Sequence, residues 1–443
     1  MKKRGRIGSG SGRFPLFGRG FALSGIGLLA LLLTLSFLSV RSHPCQPECM
    51  PVVPPSSVSL SVSSSVSPSY PYLASPFFTC SRLPSLNDTV LPSISRSVGV
   101  TAPDSARIAV THQLDSFFHV LVSERQLNGT FLAADQDGIL YQRVHGLSRL
   151  STKRTLHAHS QFEIASLSKQ FTAISILMLY EEHVLDLDDS VTRFIPDFPY
   201  PGITVRQLLC HRSGLPDYLE FAPEHFKKEG WMSNEDLLEM MKRYKPPVLF
   251  APDERFEYSN TGYAVLASII EKVVGCPFTE FVAARIFEPL QMTDSYFYVE
   301  QSHVAGNYTI GHRRNKTPYI RDALSGVVGD KGIMTTAEDL YRWFSHLPYL
   351  VKKETLEMAW TPQNRDMDLC HNYGFGWRLS CDASGNRLVY HGGLWNGYNA
   401  ILVYRPADRS LVIMLTNWLN RSILHQSDAV LSLLGDYHGL NAQ

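Results

Sequence analysis

The sequence has no net charge. Lys plus Arg and Asp plus Glu number 41 each over 443 residues. A chain balanced in this way offers no basic stripe for a phosphate backbone, so a nucleic-acid partner is not expected. Clustered metal ligands are missing too. The seven cysteines, Cys45, Cys49, Cys80, Cys210, Cys276, Cys370 and Cys381, are too scattered for a zinc site. The acidic run Asp186-Leu187-Asp188-Asp189 lacks the following glycine and glutamate of a calcium loop and reads as a turn and helix cap. No cofactor is called for, and no protein partner. Internal repeats are absent, which removes solenoid and array architectures. What is present is 44% hydrophobic, enough for a sizeable core in one large or two ordinary domains.

Two further absences are local. Residues 1–20 carry Lys2, Lys3, Arg4, Arg6, Arg13 and Arg19 and no acid; residues 21–40 carry no charge at all. A basic flank ahead of an apolar segment of membrane-spanning length is an export signal. The basic side stays in the cytosol, so the remainder is expected on the periplasmic or extracellular face. A cleaved signal peptide and an uncleaved anchor both fit. The length of the segment and the lack of an A-x-A site favour the anchor, with the membrane then a partner through residues 21–40. Residues 41–103 are rich in Pro and Ser and poor in charge, the composition of a tether. An odd cysteine count leaves at least one unpaired, and Cys370 and Cys381 can pair across a hairpin in an oxidising compartment. Asn87, Asn128, Asn307, Asn315 and Asn420 head Asn-x-Ser/Thr triplets, which matter only in a eukaryotic source.

From Asp104 the composition becomes globular, and residues 104–440 are expected to form one domain. Residues 104–126 have a helical apolar face at Ile108, Leu114, Phe117, Phe118 and Leu121. GTFLAAD and ILYQRVHG read as strands joined by an Asp137-Gly138 turn. Residues from about 183 to 320 are mainly helical, with a strong helix pattern over 258–275 that Gly275 stops. Past residue 325, Thr336 caps a helix and strands return: GFGWRLS, LVYHGG, NAILVYRP and LVIMLTN, then a helix near 425–435. The expected fold is α/β (α+β). An antiparallel sheet built from both ends of the chain is flanked by helices and carries an inserted, mainly helical subdomain.

The chemistry centres on residues 160–182. A short apolar run, Phe162 to Ala165, meets Ser166, and a helical pattern begins there with Leu167, Phe171, Ile174, Leu177 and Met178 on one face. Lys169 stands three positions on, one turn up the same face. Its amine therefore lies beside the Ser166 hydroxyl, where the helix's opening N–H groups favour negative charge. A nearby base and a positive field are what turn a serine into a nucleophile. A helix cap followed by a solvated lysine has the same spelling. Ser-x-x-Lys occurs once, however, and two further pieces follow it in order.

The first is Tyr258-Ser259-Asn260, the single Tyr-x-Asn, in a loop before a helix. Tyrosine and lysine both titrate near pH ~10 when free. A phenol placed against Lys169 has its ionised form favoured and can take the Ser166 proton and return it to a leaving group. Asn260 offers an amide to align a substrate ester or amide. The second is His391-Gly392-Gly393-Leu394 on a strand, where paired glycines admit a substrate backbone. A backbone N–H there, with that of Ser166, can form an oxyanion hole. His211, a lone histidine in a loop, reads as structural.

Ser166-Leu167-Ser168-Lys169, Tyr258-Ser259-Asn260 and His391-Gly392-Gly393 resemble the three motifs of the class C β-lactamase-like serine hydrolases. LLCHRSGLP, FEYSNTGYAVLASIIEKVVG, GDKGIMTTAEDL and HGGLWNGYNA are similar too. That group includes β-lactamases, DD-peptidases, D-aminopeptidases and family VIII esterases. The resemblance covers about residues 104–435. It implies Ser166 as the acylated nucleophile, Lys169 and Tyr258 as the acid/base pair, and the N–H groups of Ser166 and Leu394 as the oxyanion hole. Asn260, His391, Gly393 and Leu394 are the expected substrate-binding residues. One departure stands out: β-lactamases and many DD-peptidases carry Lys-Thr-Gly where this chain has His391-Gly392-Gly393. A histidine is only partly charged at neutral pH, and glycine has no hydroxyl. A small-molecule or peptide-like ester or amide is therefore the first expectation. A cell-wall DD-peptidase or a β-lactamase comes next, and a non-catalytic penicillin-binding-like sensor on the same fold last.

Overall fold

The computed structural model describes residues 105–124, 126–299, 307–419 and 423–440. The basic N-terminus, the apolar segment 21–40 and the Pro/Ser-rich stretch lie outside them. Among the described residues no helix is long and apolar enough to cross a membrane.

Seven strands form the main sheet: β1 (Gly129–Asp135), β2 (Gly138–His145), β3 (His371–Tyr373), β4 (Arg378–Cys381), β5 (Arg387–Trp395), β6 (Tyr398–Arg405) and β7 (Ser410–Thr416). Their order is β2-β1-β7-β6-β5-β4-β3, antiparallel throughout. β1 pairs with β7, Gly129 opposite Thr416, so the two ends of the domain close one sheet. The cross-chain sheet expected from sequence is the one observed. β3 is the strand the sequence pattern did not mark. Cys370 and Cys381 are disulfide-bonded at the end of the β3–β4 hairpin, and Cys210 is a buried free thiol.

Alternation along the strands sorts the core into two layers, because successive side chains of a strand face opposite ways. On one face, Phe131 and Ala133 of β1 join Val403 of β6 and Val412 and Met414 of β7. These pack on α1 (Ser105–Ser123) through Val110, Leu114, Phe118 and Leu121, and on the C-terminal helix Ile423–Tyr437. On the other face, Leu132, Ala134, Leu402 and Ile413 pack against α2 (Lys169–Glu181) and the helical region beyond it.

The apolar stripe expected along α2 understates its burial. Every residue from Lys169 to Leu179 is buried, because the helix is enclosed between the sheet and the inserted helices. Two of its polar positions are satisfied internally: the Thr172 hydroxyl donates to the Gly329 carbonyl at 2.6 Å, and Ser175 to the Phe171 carbonyl at 2.8 Å. Phe171 stacks on Trp343 at 3.9 Å between ring centroids, each ring contributing about 1.5–3 kcal/mol by leaving water.

Candidate active site

Ser166 sits on a single 3-10 turn, Ala165–Ser168, that runs directly into α2. Ala165 is held at φ +49°, the left-handed region that costs an L-residue about 1–2 kcal/mol. The bend turns the chain out of the short strand Phe162–Glu163 and leaves Ser166 half-buried. Sheet packing holds the bend in place. At Gly393 of β5 a Cβ would lie 1.9 Å from the Ile164 carbonyl oxygen and 3.1 Å from the Ala165 Cβ, so β5 passes against the backbone that leads into the serine.

Lys169 is wholly buried, at 0% exposed. Its Nζ lies 3.3 Å from Ser166 Oγ, 2.7 Å from Asn260 Oδ1 and 3.0 Å from the Asp330 carbonyl oxygen. The last two groups can only accept. They take two N–H bonds of the amine, and the third direction faces the serine. In the ammonium form that direction is an N–H; in the amine form it is a lone pair aimed at Oγ. The same Nζ is 5.0 Å from the centroid of the Tyr258 ring, and Tyr258 is half-buried at the rim. Tyr258, far along the chain from Ser166 and Lys169, is thus brought beside them.

Asn260 is the first residue of the helix α3 (Asn260–Val274). From sequence its amide is expected on the substrate. In the structure its Oδ1 accepts from Lys169, and its Nδ2 donates to Asp217 Oδ2 at 2.7 Å. The same carboxylate oxygen accepts the Asn260 backbone N–H at 3.1 Å. Asp217 thereby fixes which end of the Asn260 amide meets the lysine. Burial raises the Asp217 carboxyl above its ordinary value, against the hydrogen bonds it accepts. Asp217 was not singled out in the sequence, although Leu215-Pro216-Asp217 ahead of a helical run carries a cap signal. Its side chain accepts the Leu219 N–H at 3.0 Å.

His211 holds the Tyr258 loop. Its ring lies 4.3 Å from the Tyr258 ring, and its Nδ1 accepts the Ser259 backbone N–H at 3.2 Å, the structural role its lone position suggests. His391 is 1% exposed. Its Nε2 lies 3.0 Å from the Tyr373 hydroxyl and its Nδ1 2.7 Å from the Gly392 carbonyl. A carbonyl can only accept, so Nδ1 carries the proton and Nε2 accepts from the phenol. Burial, then the Arg378 and Lys169 charges, push the imidazole well below its ordinary 6.5. Burial pushes the Tyr373 phenol well above its ordinary value, which keeps it a donor. The His391 ring therefore forms a neutral wall of the site and supplies no cation where the Lys-Thr-Gly pattern has one.

This makes a checkable statement. At pH 6.5, where a free imidazole is half protonated, nitrogen NMR shows His391 neutral with its proton on Nδ1; an imidazolium signal at that pH contradicts the arrangement. The sign for stability follows from linkage. A pKa depressed by folding adds stability above the unfolded value of about 6.5, and that contribution is lost as pH falls below it.

β4 pairs with β5 only as far as Tyr390, while β5 continues alongside β6 to Trp395. Among the described residues, one side of β5 has no strand neighbour from His391 to Trp395, and the Ser166 turn lies there. A cavity of about 470 Å³ opens at this place, lined by Ser166, Tyr258, Arg378, Gly393, Leu394 and the C-terminal helix's Leu424 among others. Leu394 is 45% exposed at its mouth. Arg378, also not marked by the sequence, stands between Tyr373 and Tyr390 in the register of three adjacent strands. Among the described residues no group of His, Cys, Asp and Glu is placed to hold a metal ion.

Comparison with known proteins places the chain in a family. The Beta-lactamase family profile matches residues 114–435. The chain is 34% identical over 322 residues to penicillin-binding protein 4* of Bacillus subtilis, covering 69% of this chain and 71% of that one. It is 24% identical over 320 residues to protein flp of Staphylococcus aureus, where the match spans 69% of this chain and only 62% of the relative. Among solved structures, the octameric penicillin-binding protein homologue of Pyrococcus abyssi superposes with a TM-score of 0.64 at 27% identity. That match covers 73% of this chain and 77% of the other. The sheet closed by both chain ends, the helical insertion and the matched span lead to one assignment: this chain belongs to the beta-lactamase family of serine hydrolases.

Proposed function

We propose that this serine hydrolase is exported and cleaves an ester or amide, peptide-like in character, through an acyl-enzyme on Ser166. The observation that carries the reading is Lys169 Nζ, 3.3 Å from Ser166 Oγ with its other two directions committed to obligate acceptors. Ser166 Oγ attacks the substrate carbonyl carbon, and an Oγ–C bond forms. The serine proton passes to the Lys169–Tyr258 pair. The bond from carbon to the leaving oxygen or nitrogen then breaks, and Tyr258 hands a proton to that atom. Water repeats the sequence in reverse and frees Ser166. The Ser166 N–H, which opens a turn and has no intrahelical acceptor, is read together with the Leu394 N–H of β5 as the oxyanion hole. The one-sided stretch of β5 suits an extended substrate backbone. His391, Gly393 and Leu394 form that wall, and Asn260 acts through Lys169. Export rests on the basic flank and the apolar segment 21–40.

A neutral His391 disfavours substrates that need a lysine at that position, so β-lactams and cell-wall peptides rank behind simpler esters and amides. A fluorophosphonate probe labels the wild-type protein and leaves Ser166→Ala unlabelled; equal labelling of both removes Ser166 from the mechanism. A p-nitrophenyl ester is turned over faster than nitrocefin. The reverse order would make the protein a β-lactamase first.

A further inference from the structure

Equal totals of acid and base conceal an uneven surface. Two stretches far apart in the chain, residues 147–155 and 307–321, contain no Asp or Glu. The first carries Arg149, Lys153 and Arg154; the second carries Arg313, Arg314 and Lys316, with Arg321 at its end. The fold lays the two side by side. The Ile310 N–H donates to the Ser148 carbonyl at 2.9 Å, and Arg154 donates to Asn307 Oδ1 at 3.4 Å. The Arg149 guanidinium lies 4.5 Å from the centroid of the Tyr308 ring. Arg321 is matched by the buried Glu163 carboxylate at 2.6 Å. Among the described residues none of the other six forms an ion pair. Elsewhere on the surface cations do meet acids, as Arg206 meets Asp188 and Lys272 meets Glu235. Lys153, Arg313, Arg314 and Lys316 are exposed. Like charges gathered without counter-charges favour an anionic partner. Apolar groups stand among them. Ile320 is 85% exposed, more than any other large apolar side chain among the described residues. Arg313 and Lys316 lie over the Tyr319 and Trp418 rings, at 4.1 and 5.2 Å from the centroids. Cations, aromatic rings and a bare isoleucine together suit the headgroup region of a bilayer. A soluble polyanion would leave the isoleucine without a partner.

We propose that residues 149–154 and 313–320 form a docking surface for an anionic lipid bilayer. The choice of partner agrees with the apolar segment 21–40, read as the export signal or anchor. A Pro/Ser-rich tether sets no orientation for the domain by itself; a charged contact with the headgroups does. The surface lies at one end of the strand that lines the cavity. Residues 311–319 pack on the β5–β6 turn, where a Cβ at Gly397 would lie 2.4 Å from the His312 nitrogen and 2.7 Å from Tyr319 Cδ2. Just before that turn on β5, Leu394 stands at the mouth of the cavity. Docking therefore brings the mouth close to the bilayer. None of the catalytic residues takes part, so the inference stands apart from the hydrolase reading.

The test places the full chain in nanodiscs of phosphatidylcholine, alone or with about one third phosphatidylglycerol, and follows hydrogen–deuterium exchange by mass spectrometry. The apolar segment meets both kinds of disc, so the comparison isolates the surface. In the anionic discs the amides of 147–155 and 311–321 exchange at least about fivefold more slowly than in the neutral ones, since each Lys or Arg near an anionic surface is worth roughly that factor in occupancy. The difference vanishes at about 1 M NaCl, where the Debye length is about 3 Å. It also vanishes in the triple variant Arg313→Glu, Arg314→Glu, Lys316→Glu, which keeps the parent's circular dichroism and melting temperature. Ile320→Ser keeps the dependence on phosphatidylglycerol and loses part of the protection. Equal exchange in the two discs, or a difference that survives the triple variant, overturns the docking surface. Protection that ignores residue 320 and is reproduced by heparin in neutral discs assigns the patch to a soluble polyanion and overturns the bilayer.

Discussion

Lys169→Ala slows acylation of Ser166 by roughly 10²- to 10⁴-fold, the usual contribution of a positioned proton acceptor. The expectation comes from the way the amine is held. Asn260 Oδ1 and the Asp330 carbonyl take two of its directions at 2.7 and 3.0 Å, which leaves only the serine for the third. Alanine removes the acceptor and strands both oxygens in a buried place. Each stranded group costs about 1–3 kcal/mol unless water enters the space, so the melting temperature falls as well. Lys169→Arg separates field from proton transfer. Arginine keeps the positive charge but does not deprotonate in proteins, so it also acylates slowly if the amine is the acceptor. The rate of fluorophosphonate labelling, followed over time, reads all three proteins. Near-normal labelling of Lys169→Ala would end the role assigned to the lysine, and near-normal labelling of Lys169→Arg would mean that charge alone suffices.

Gly393→Ala and Gly392→Ala, adjacent and chemically identical changes, differ in outcome by at least about a hundredfold in kcat/KM. At Gly393 the added carbon would lie 1.9 Å from the Ile164 carbonyl oxygen. Backbone must move there, either β5 or the strained Ala165 bend that presents Ser166. Displacing one oxyanion-hole donor costs about 10²- to 10³-fold, and this shift moves the strand next to the serine. At Gly392 the nearest atoms are Ala400 O and Ile401 Cδ1, both at 3.5 Å, an ordinary contact. Gly392→Ala therefore stays within about threefold of the parent, since a methyl in ordinary van der Waals contact disturbs little. Steady-state ester hydrolysis with both variants, alongside circular dichroism, decides it. Equal behaviour of the two would show that the close approach of β5 to Ile164 does not govern the site.

Much of this protein is legible without coordinates because its signals are local. Alternation of side chains along GTFLAAD and LVIMLTN, the helical period from Leu167 onward and Gly275 as a stop each depend on a few adjacent residues. The sequence by itself determined the kinds of element, the pairing of both chain ends into one sheet and the three motifs that hold Ser166, Lys169 and Tyr258. The shape around those motifs was decided only by the tertiary structure. Asp217 orients Asn260 because two helix starts meet there. Asp330 reaches Lys169 through a main-chain oxygen, which no side-chain pattern can signal. His391 is neutral because it is buried under Tyr373 and faces two cations, and burial is a property of the packed molecule. Arg378 enters the cavity because the β4–β5 register ends at Tyr390. Each of these depends on contacts between residues far apart in the chain, and the physical reason is common to them: hydrogen-bond direction, desolvation and close approach are fixed by packing in three dimensions and leave no periodic trace along one.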